Sequence, residues 1–166
     1  IFFYKYTTLS IKYFKKMNLN VKYTSKSPYG STVKEIIFVK SKSLKKKNFS
    51  PIQASLYNNH LFEENLFIEK EYKKKNYIFV NSKELKVSSD FENIGSKLFD
   101  FLQKNKIENC YIEFDKSLLN SMQLEKILHG AKLKSYKFEI YKTTNKKNKI
   151  INLKVITKNL KTKNIL

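Results

Sequence analysis

Arginine and tryptophan are missing from this 166-residue chain, which has only 3 glycines, 2 prolines and 1 cysteine. So few glycines and prolines exclude a collagen-like chain and a low-complexity linker. The single cysteine, Cys110, excludes an internal disulfide framework and is typical of the reducing cytoplasm, which is the location we predict. Cys110 belongs to a strand-like Cys-Tyr-Ile-Glu-Phe run without a neighbouring histidine, so we expect a buried structural thiol rather than a nucleophile.

Acidic residues are few beside the lysines. The chain has 34 basic residues, all of them lysine, against 14 acidic residues, and its formal net charge is +20. Such a charge is typical of proteins that bind nucleic acid or an anionic membrane. However, specific nucleic-acid sites rely on the planar fork of arginine, and the lysines accompany asparagine, isoleucine, phenylalanine and tyrosine, which have A/T-rich codons. We therefore favour codon bias and expect only weak, nonspecific nucleic-acid binding.

Long apolar runs are missing as well. No stretch approaches the ~20 apolar residues of a membrane span, so no membrane association is predicted. Residues 1–16 are apolar but interrupted by lysines, and they lack the charge order and the cleavage site of a signal peptide. The first methionine is Met17, and we interpret residues 1–16 as upstream read-through or a disordered leader. Residues 157–166 contain neither a helix cap nor a turn signal.

Several segments have strand-like patterns. In residues 18–24 polar and apolar side chains alternate, so that Leu19, Val21 and Tyr23 share one side, as in a half-buried strand. Short continuous runs of β-branched and aromatic residues are typical of buried strands. These runs are residues 35–39 and 76–81, and residues 110–114 and 150–156 are also predicted to be strands. Residues 51–75 fit either a helical turn or a hairpin.

Two segments predict helices. Ser89 and Glu92 have the spacing of a capping box, and the apolar residues that follow recur every three or four positions until Asn105 ends the helix. The second helix is predicted over residues 118–136. Gly130 lies inside it, where glycine costs ~1 kcal/mol relative to alanine, and we expect this glycine to permit close backbone packing.

The order of these elements predicts an α/β fold. Strand, helix and strand over residues 76–114 form a βαβ unit, whose strands should run parallel with a right-handed crossover. We predict a three-layer domain with a mixed, mostly parallel central sheet. Its core is expected to include Ile36, Phe38, Ile78, Val80, Ile94, Leu98, Phe101, Ile112, Phe114, Ile127 and Leu128.

No group of residues in the sequence has the spacing of a catalytic or metal site. The dense carboxylates lie among apolar residues without a partner histidine or aspartate, and we interpret them as a solvated face. They are Glu63, Glu64, Glu69 and Glu71. His60 and His129 lie far apart and lack metal-ligand spacing. His129 falls on the polar side of its helix, so we expect it to be exposed or to support a neighbour.

Two further features have both a functional and a structural interpretation. The run Lys45-Lys46-Lys47 fits a phosphate clamp or a solvated loop, and we favour the loop. The aromatic residues could stack nucleotide bases, but core packing is favoured because several fall on predicted core faces. These are Phe79, Phe101, Phe114 and Phe138. We predict that the chain contains no catalytic, cofactor-binding or metal-binding residues.

The segment from Leu128 to Thr143 resembles the last helix and the following strand of the N-terminal domain of leucyl (cytosol) aminopeptidases. Typical family positions are occupied by Gly130, Tyr136, Phe138, Glu139, Tyr141 and Lys142. His129 stands where an acidic residue is commoner, and Lys137 stands where arginine is commoner. The upstream elements follow a similar order, so the resemblance extends over residues 18–156.

The resemblance implies a macro-domain-like α/β domain without catalytic residues. In this family the two divalent metals, zinc or manganese, and the catalytic groups belong to a larger C-terminal domain, marked by an Asn-Thr-Asp-Ala-Glu-Gly-Arg segment. That segment does not occur here, so no metal ligand or catalytic group can be carried over. We interpret residues 17–156 as the N-terminal domain and residues 157–166 as the start of a linker to a missing catalytic domain.

Two functions from different classes stay open. The first is an accessory and assembly domain of a metallo-aminopeptidase that removes N-terminal residues such as leucine from peptides. Its partners would be its own catalytic domain and further copies in a hexamer. The second is a stand-alone basic module that binds nucleic acid or a nucleotide. The segment from Tyr136 to Lys142 favours the first function, and the net charge alone favours the second.

Overall fold

A computed structural model of the chain gives an α/β fold with six strands and two helices in the described residues. The structure describes residues 18–26, 28, 32–39, 65–82, 85–114, 119–136 and 149–157. The strands are β1 (Leu19–Thr24), β2 (Lys34–Val39), β3 (Phe67–Tyr72), β4 (Lys75–Asn81), β5 (Asn109–Glu113) and β6 (Ile151–Ile156), and the helices are α1 (Ser88–Lys104) and α2 (Ser121–Ser135). The predicted strand runs are confirmed. Of residues 51–75, only residues 65–75 are described, and β3 in this segment forms a hairpin with β4, the strand predicted over residues 76–81.

The six strands form one sheet in the order β1-β6-β5-β2-β4-β3. Neighbouring strands run parallel except in the hairpin of β3 and β4, which is antiparallel. Strands β4 and β5 both lie parallel to β2, on either side of it. The parallel βαβ unit predicted over residues 76–114 is therefore confirmed, with β2 inserted between its two strands. Helix α2 connects β5 to its parallel neighbour β6.

The main core lies between the sheet and the two helices. Ile78 and Leu153 from the strands pack with Leu98 and Ile127 from the helices, and all four are buried. Of the predicted core residues, nine are buried in this cluster, and Phe101 and Phe114 are half-buried against it. Burying a large aliphatic or aromatic side chain contributes about 1.5–3 kcal/mol, so this cluster holds the helices on the sheet.

A second apolar cluster lies on the opposite face of the sheet. Phe79 of β4 is its centre, with Val39, Ile68 and Tyr77 around it. Phe79 is 0% exposed, and its ring centroid lies 6.0 Å from that of Tyr77. The middle of β4 is therefore buried on both faces, as the inner strands of a three-layer fold must be. The predicted fold class is confirmed.

The N-terminus of α1 differs from the prediction. The expected capping box of Ser89 and Glu92 is wrong, because the N-cap is Val87, two residues before Ser89. The carboxylate of Asp90 accepts hydrogen bonds from the backbone N–H groups of Val87 at 3.0 Å and Lys86 at 2.9 Å. These bonds hold the pKa of Asp90 below its usual range. They also place a negative charge at the positive end of the helix dipole.

The N-terminus of α2 has a capping box that the apolar pattern did not reveal. The predicted helix began at residue 118, whereas α2 begins at Ser121. The side-chain oxygen of Asn120 accepts a hydrogen bond from the backbone N–H of Gln123 at 2.9 Å, and the side-chain oxygen of Gln123 accepts one from the N–H of Asn120 at 3.0 Å. Each side chain thus satisfies a backbone group that the helix leaves without a partner.

The C-terminus of α1 is a Schellman motif, with Asn105 at the C-cap as predicted. The N–H of Lys106 donates to the C=O of Gln103 at 3.1 Å, and the N–H of Ile107 donates to the C=O of Leu102 at 2.9 Å. Lys106 has a φ of 55°. Glycine adopts this left-handed conformation readily and lysine does not, so Lys106 strains the end of the helix.

Replacing Lys106 with glycine is expected to raise the free energy of unfolding by about 1 kcal/mol. A left-handed conformation costs a residue with a Cβ atom about 1–2 kcal/mol, and the larger backbone entropy of unfolded glycine offsets part of this gain. Urea unfolding followed by circular dichroism measures the difference. Lys104→Gly, inside the last turn, is the control and should lower stability by a similar amount. A destabilised Lys106→Gly variant would contradict the motif.

Candidate functional site

The two helices cross with their backbones in contact at Gly95 of α1 and Gly130 of α2. A Cβ atom at Gly130 would lie 1.9 Å from the carbonyl oxygen of Glu92, and a Cβ atom at Gly95 would lie 1.9 Å from the carbonyl oxygen of Ile127. Any larger residue at either position therefore pushes the helices apart. The prediction that Gly130 permits close backbone packing is confirmed, and Gly95 supplies the matching half of the contact.

Charged side chains bridge the two helices beside this crossing. The carboxylate of Glu92 accepts a hydrogen bond from Nζ of Lys126 at 2.9 Å and lies 3.4 Å from Nδ1 of His129. Lys126 makes the largest contribution to a lowered pKa of Glu92, and His129 adds to it. The side chain of His129 is 55% exposed, which agrees with its predicted place on the polar side of the helix. These three groups form an interhelical bridge on the surface, which stabilises the pair only modestly.

The residues that carry the family resemblance are described only in part. Gly130 lies at the helix crossing. Tyr136 is the C-cap of α2, where its N–H donates to the C=O of Leu133 at 3.3 Å, and its side chain is 45% exposed. The other motif residues lie outside the described residues: Phe138, Glu139, Tyr141 and Lys142. Both described motif positions thus have roles in helix packing and helix termination.

The other residues considered in the sequence analysis also lie partly inside and partly outside the described residues. Glu69 and Glu71 of β3 are exposed, as expected for a solvated face, and Glu69 forms an ion pair with Lys34. Within the ranges that the structure describes, no group of three or more His, Cys, Asp or Glu side chains is placed to hold a metal ion, and no helix there is long and apolar enough to cross a bilayer. Residues 1–16, the run Lys45-Lys46-Lys47, His60, Glu63 and Glu64 lie outside the described residues.

The thiol of Cys110 lies in the main core on β5, where the residue is 0% exposed. Its Sγ atom is 3.9 Å from the backbone oxygen of Asn152. Burial raises the pKa of Cys110 to about 12, so the thiol stays protonated at neutral pH. Since the thiolate is the nucleophilic form, the prediction of a structural thiol is confirmed.

Cys110 should therefore be inert toward a thiol reagent such as Ellman's reagent until the chain unfolds. We expect very slow modification of the native protein and rapid, complete modification in concentrated urea, with the initial rate of reaction following the unfolded fraction between these limits. Absorbance of the released thiolate measures the reaction. Ser89→Cys, at an exposed position of α1, is the control and should react at once without urea. Rapid modification of the native wild-type chain would refute this expectation.

The face of the sheet opposite the helices is polar along β1, β6 and β5. Asn20, Asn152 and Asn109 lie side by side in register on these three strands. Their side chains are joined by hydrogen bonds of 3.2 Å, between Asn20 and Asn152, and of 3.3 Å, between Asn152 and Asn109. This row pairs the amides with one another and aligns the three strands.

The next row on this face carries Lys22, Lys154 and Tyr111 side by side. The hydroxyl of Tyr111 donates to the carboxylate of Glu35 on β2 at 2.5 Å. Both lysines are exposed, and among the described residues no carboxylate forms an ion pair with either of them. This pair of lysines could not be found from the sequence, because only the register of β1 against β6 brings them together.

Comparison with known proteins bears on the fold. No protein-family model and no curated protein matches the chain. Among solved structures, the chain is similar to a mutant of tomato leucine aminopeptidase, with a TM-score of 0.53 and 14% sequence identity. The similarity covers 85% of this chain and 33% of that chain, in its N-terminal region. The chain therefore has an α/β fold similar to that region and spans about a third of the length of the solved protein.

Proposed function

We propose that this chain is the non-catalytic N-terminal domain of a leucyl-aminopeptidase-like protein and contributes to its assembly. The observation that carries the proposal is the similarity of fold to the N-terminal region of tomato leucine aminopeptidase, over 85% of this chain. The sequence resemblance around Gly130 and Tyr136 supports the same assignment. In this proposal the partners are the catalytic domain of the same protein and further copies in a cytoplasmic hexamer.

The chemistry of the parent would belong to its catalytic domain. There, two zinc or manganese ions would act on peptides with an N-terminal residue such as leucine. Activation of water at neutral pH needs a held metal and a fixed set of carboxylates. Three carboxylates in the described part of the chain already have other partners: Asp90 caps α1, Glu92 binds Lys126, and Glu35 binds the hydroxyl of Tyr111. These contacts support a structural role.

The 166-residue chain should show no hydrolysis of leucine amide, with or without added Mn²⁺ or Zn²⁺, because no group of carboxylates in the described part of the chain is placed to hold a metal ion. Release of ammonia or leucine measures the activity, and a complete leucine aminopeptidase is the positive control. The coding sequence downstream of Leu166 tests the parent directly. An open frame with an Asn-Thr-Asp-Ala-Glu-Gly-Arg-like segment is expected, and the longer protein should be active and hexameric. Metal-dependent turnover by the 166-residue chain alone would overturn the proposal.

The net charge of +20 favours a second candidate, a basic module that binds nucleic acid or a nucleotide. Lysine contacts to phosphates release counterions but provide little reading of bases. DNA binding that is weak, independent of sequence and steeply reduced by salt would follow from charge alone. Titration of a labelled duplex at low and at physiological salt distinguishes the two cases, and salt-resistant, sequence-selective binding would favour this second function.

A further inference from the structure

Strand β1 is an edge strand of the sheet. Half of its backbone N–H and C=O groups point away from the neighbouring strand β6. The N–H of Ile151 donates to the C=O of Asn18 at 2.8 Å, and the N–H of Thr157 donates to the C=O of Thr24 at 3.0 Å. The backbone N–H and C=O groups of the even-numbered residues of β1 therefore point toward β6. Alternate residues of a parallel strand bond to the same neighbour, so the N–H and C=O groups of Val21 and Tyr23 point outward. No strand that the structure describes lies beyond β1. Such an edge is a template for another extended chain.

One side of this edge is strongly basic. We call it the lysine side: the side of the sheet opposite the helices, where Lys22 of β1 stands directly beside Lys154 of β6. Neighbouring strands lie about 4.8 Å apart, and like charges at adjacent positions of a sheet repel each other. An acidic side chain on a strand added beside β1 would stand next to Lys22 and relieve this repulsion.

The other side of the edge has the opposite preference. We call it the core side: the side facing the helices, where Val21 and Tyr23 are half-buried against the main core. Burial, and then the carboxylate of Glu125 on α2, raise the pKa of Tyr23. An acidic side chain here would meet apolar surface and a like charge. The core side therefore favours apolar side chains.

We propose that the outer edge of β1 binds an extended acidic peptide segment by strand addition. Its acidic side chains lie on the lysine side, and its apolar side chains lie on the core side. Main-chain hydrogen bonds to Val21 and Tyr23 provide affinity, as in other strand-addition complexes. The alternation of acidic and apolar residues sets the register, because a slip of one residue moves every side chain to the wrong side. β1 has 6 residues, so a short segment covers it. The proposal goes beyond the assembly role above and does not depend on it.

The charge pairing is tested by titrating the full chain into a fluorescein-labelled peptide that alternates glutamate with valine, followed by fluorescence anisotropy. Lys22→Glu is expected to raise the Kd about tenfold, and Lys154→Glu, one strand farther from the peptide, is expected to raise it by a smaller factor. Lys97→Glu, which makes the same charge change at an exposed position of α1, should leave the Kd within about twofold. A peptide that alternates lysine with valine should bind the double variant Lys22→Glu, Lys154→Glu more tightly than the wild type. If Lys97→Glu weakened binding as much as Lys22→Glu does, net charge alone would explain the binding, and the proposal would be overturned.

The main-chain pairing needs a separate test. Val21→Pro removes an outward N–H without breaking a bond to β6 and should abolish binding, while circular dichroism checks that the variant is folded. Two N-methylated peptides test the same bonds in the unaltered protein. In one peptide the methylated nitrogens are those whose N–H groups would point toward β1, and in the other they are those whose N–H groups would point toward solvent. The peptide methylated toward β1 should not bind, and the one methylated toward solvent should bind normally. Equal binding of the two would overturn strand addition. Binding of oligothymidylate through Lys22, with none of the acidic peptide, would assign the edge to nucleic acid instead.

Discussion

Replacing Gly130 with alanine is expected to lower the free energy of unfolding by about 3 kcal/mol, at the upper end of the usual cost of overpacking. The added Cβ would lie 1.9 Å from the carbonyl oxygen of Glu92, a backbone atom that can move only if α1 moves. The sign of the change is informative, because the same substitution in an exposed helix interior stabilises by about 1 kcal/mol. Urea unfolding followed by far-ultraviolet circular dichroism measures the effect.

Two other variants locate this effect at the helix crossing. Gly95→Ala should be similarly destabilising, since its Cβ would lie 1.9 Å from the carbonyl oxygen of Ile127. Both substitutions push the same two helices apart, so the double variant should lose less stability than the sum of the two. Met122→Ala, at a position 71% exposed on α2, is the control and should change stability by less than about 0.5 kcal/mol. A neutral or stabilised Gly130→Ala variant would contradict the close crossing.

Replacing Phe79 with alanine should lower the free energy of unfolding by about 3–5 kcal/mol, the usual cost of removing a buried aromatic ring. Phe79 lies on the sheet face opposite the helices and is 0% exposed. The loss of stability in Phe79→Ala therefore measures how completely the sheet face opposite the helices is buried around this residue. Glu71→Ala, at an exposed position of the neighbouring strand β3, is the control in the same urea titration. A loss for Phe79→Ala as small as for Glu71→Ala would argue against burial of this face.

The strands and the core were predictable because their signals are local. The alternation of Leu19, Val21 and Tyr23 gave the correct buried side of β1, since side chains in a strand alternate between its two faces. The runs around Ile36 and Ile78 gave strands buried on both faces. Such patterns are repeated along a segment, so an error at one residue does not change the interpretation.

The helix ends were less predictable because they depend on single residues. Ser89 and Glu92 have the spacing of a capping box, but Asp90 lies one residue from Ser89 and its short carboxylate reaches two backbone N–H groups at once. The box formed by Asn120 and Gln123 had a readable spacing, yet the apolar residues before it suggested an earlier start.

The partners in the interhelical bridge and in the asparagine row of the sheet could not be identified from the sequence. Glu92 and Lys126 are 34 positions apart, and Asn20 and Asn152 are 132 positions apart. The sequence predicted a close backbone contact at Gly130, but it did not predict which segment of the chain Gly130 contacts. Gly95 became identifiable only through the crossing geometry, because a glycine in a helix has no pattern that points to a distant backbone atom.

The sequence by itself determined which segments become strands and helices and which side of each faces the core, because periodicity and apolar burial act within a few residues of chain. The tertiary structure alone decided the strand order, the insertion of β2 between β4 and β5, and the juxtaposition of Lys22 with Lys154. Strand order and register depend on contacts between distant segments, and many pairings satisfy the same local patterns. The edge of β1 and its charge therefore emerge only when the whole sheet is assembled.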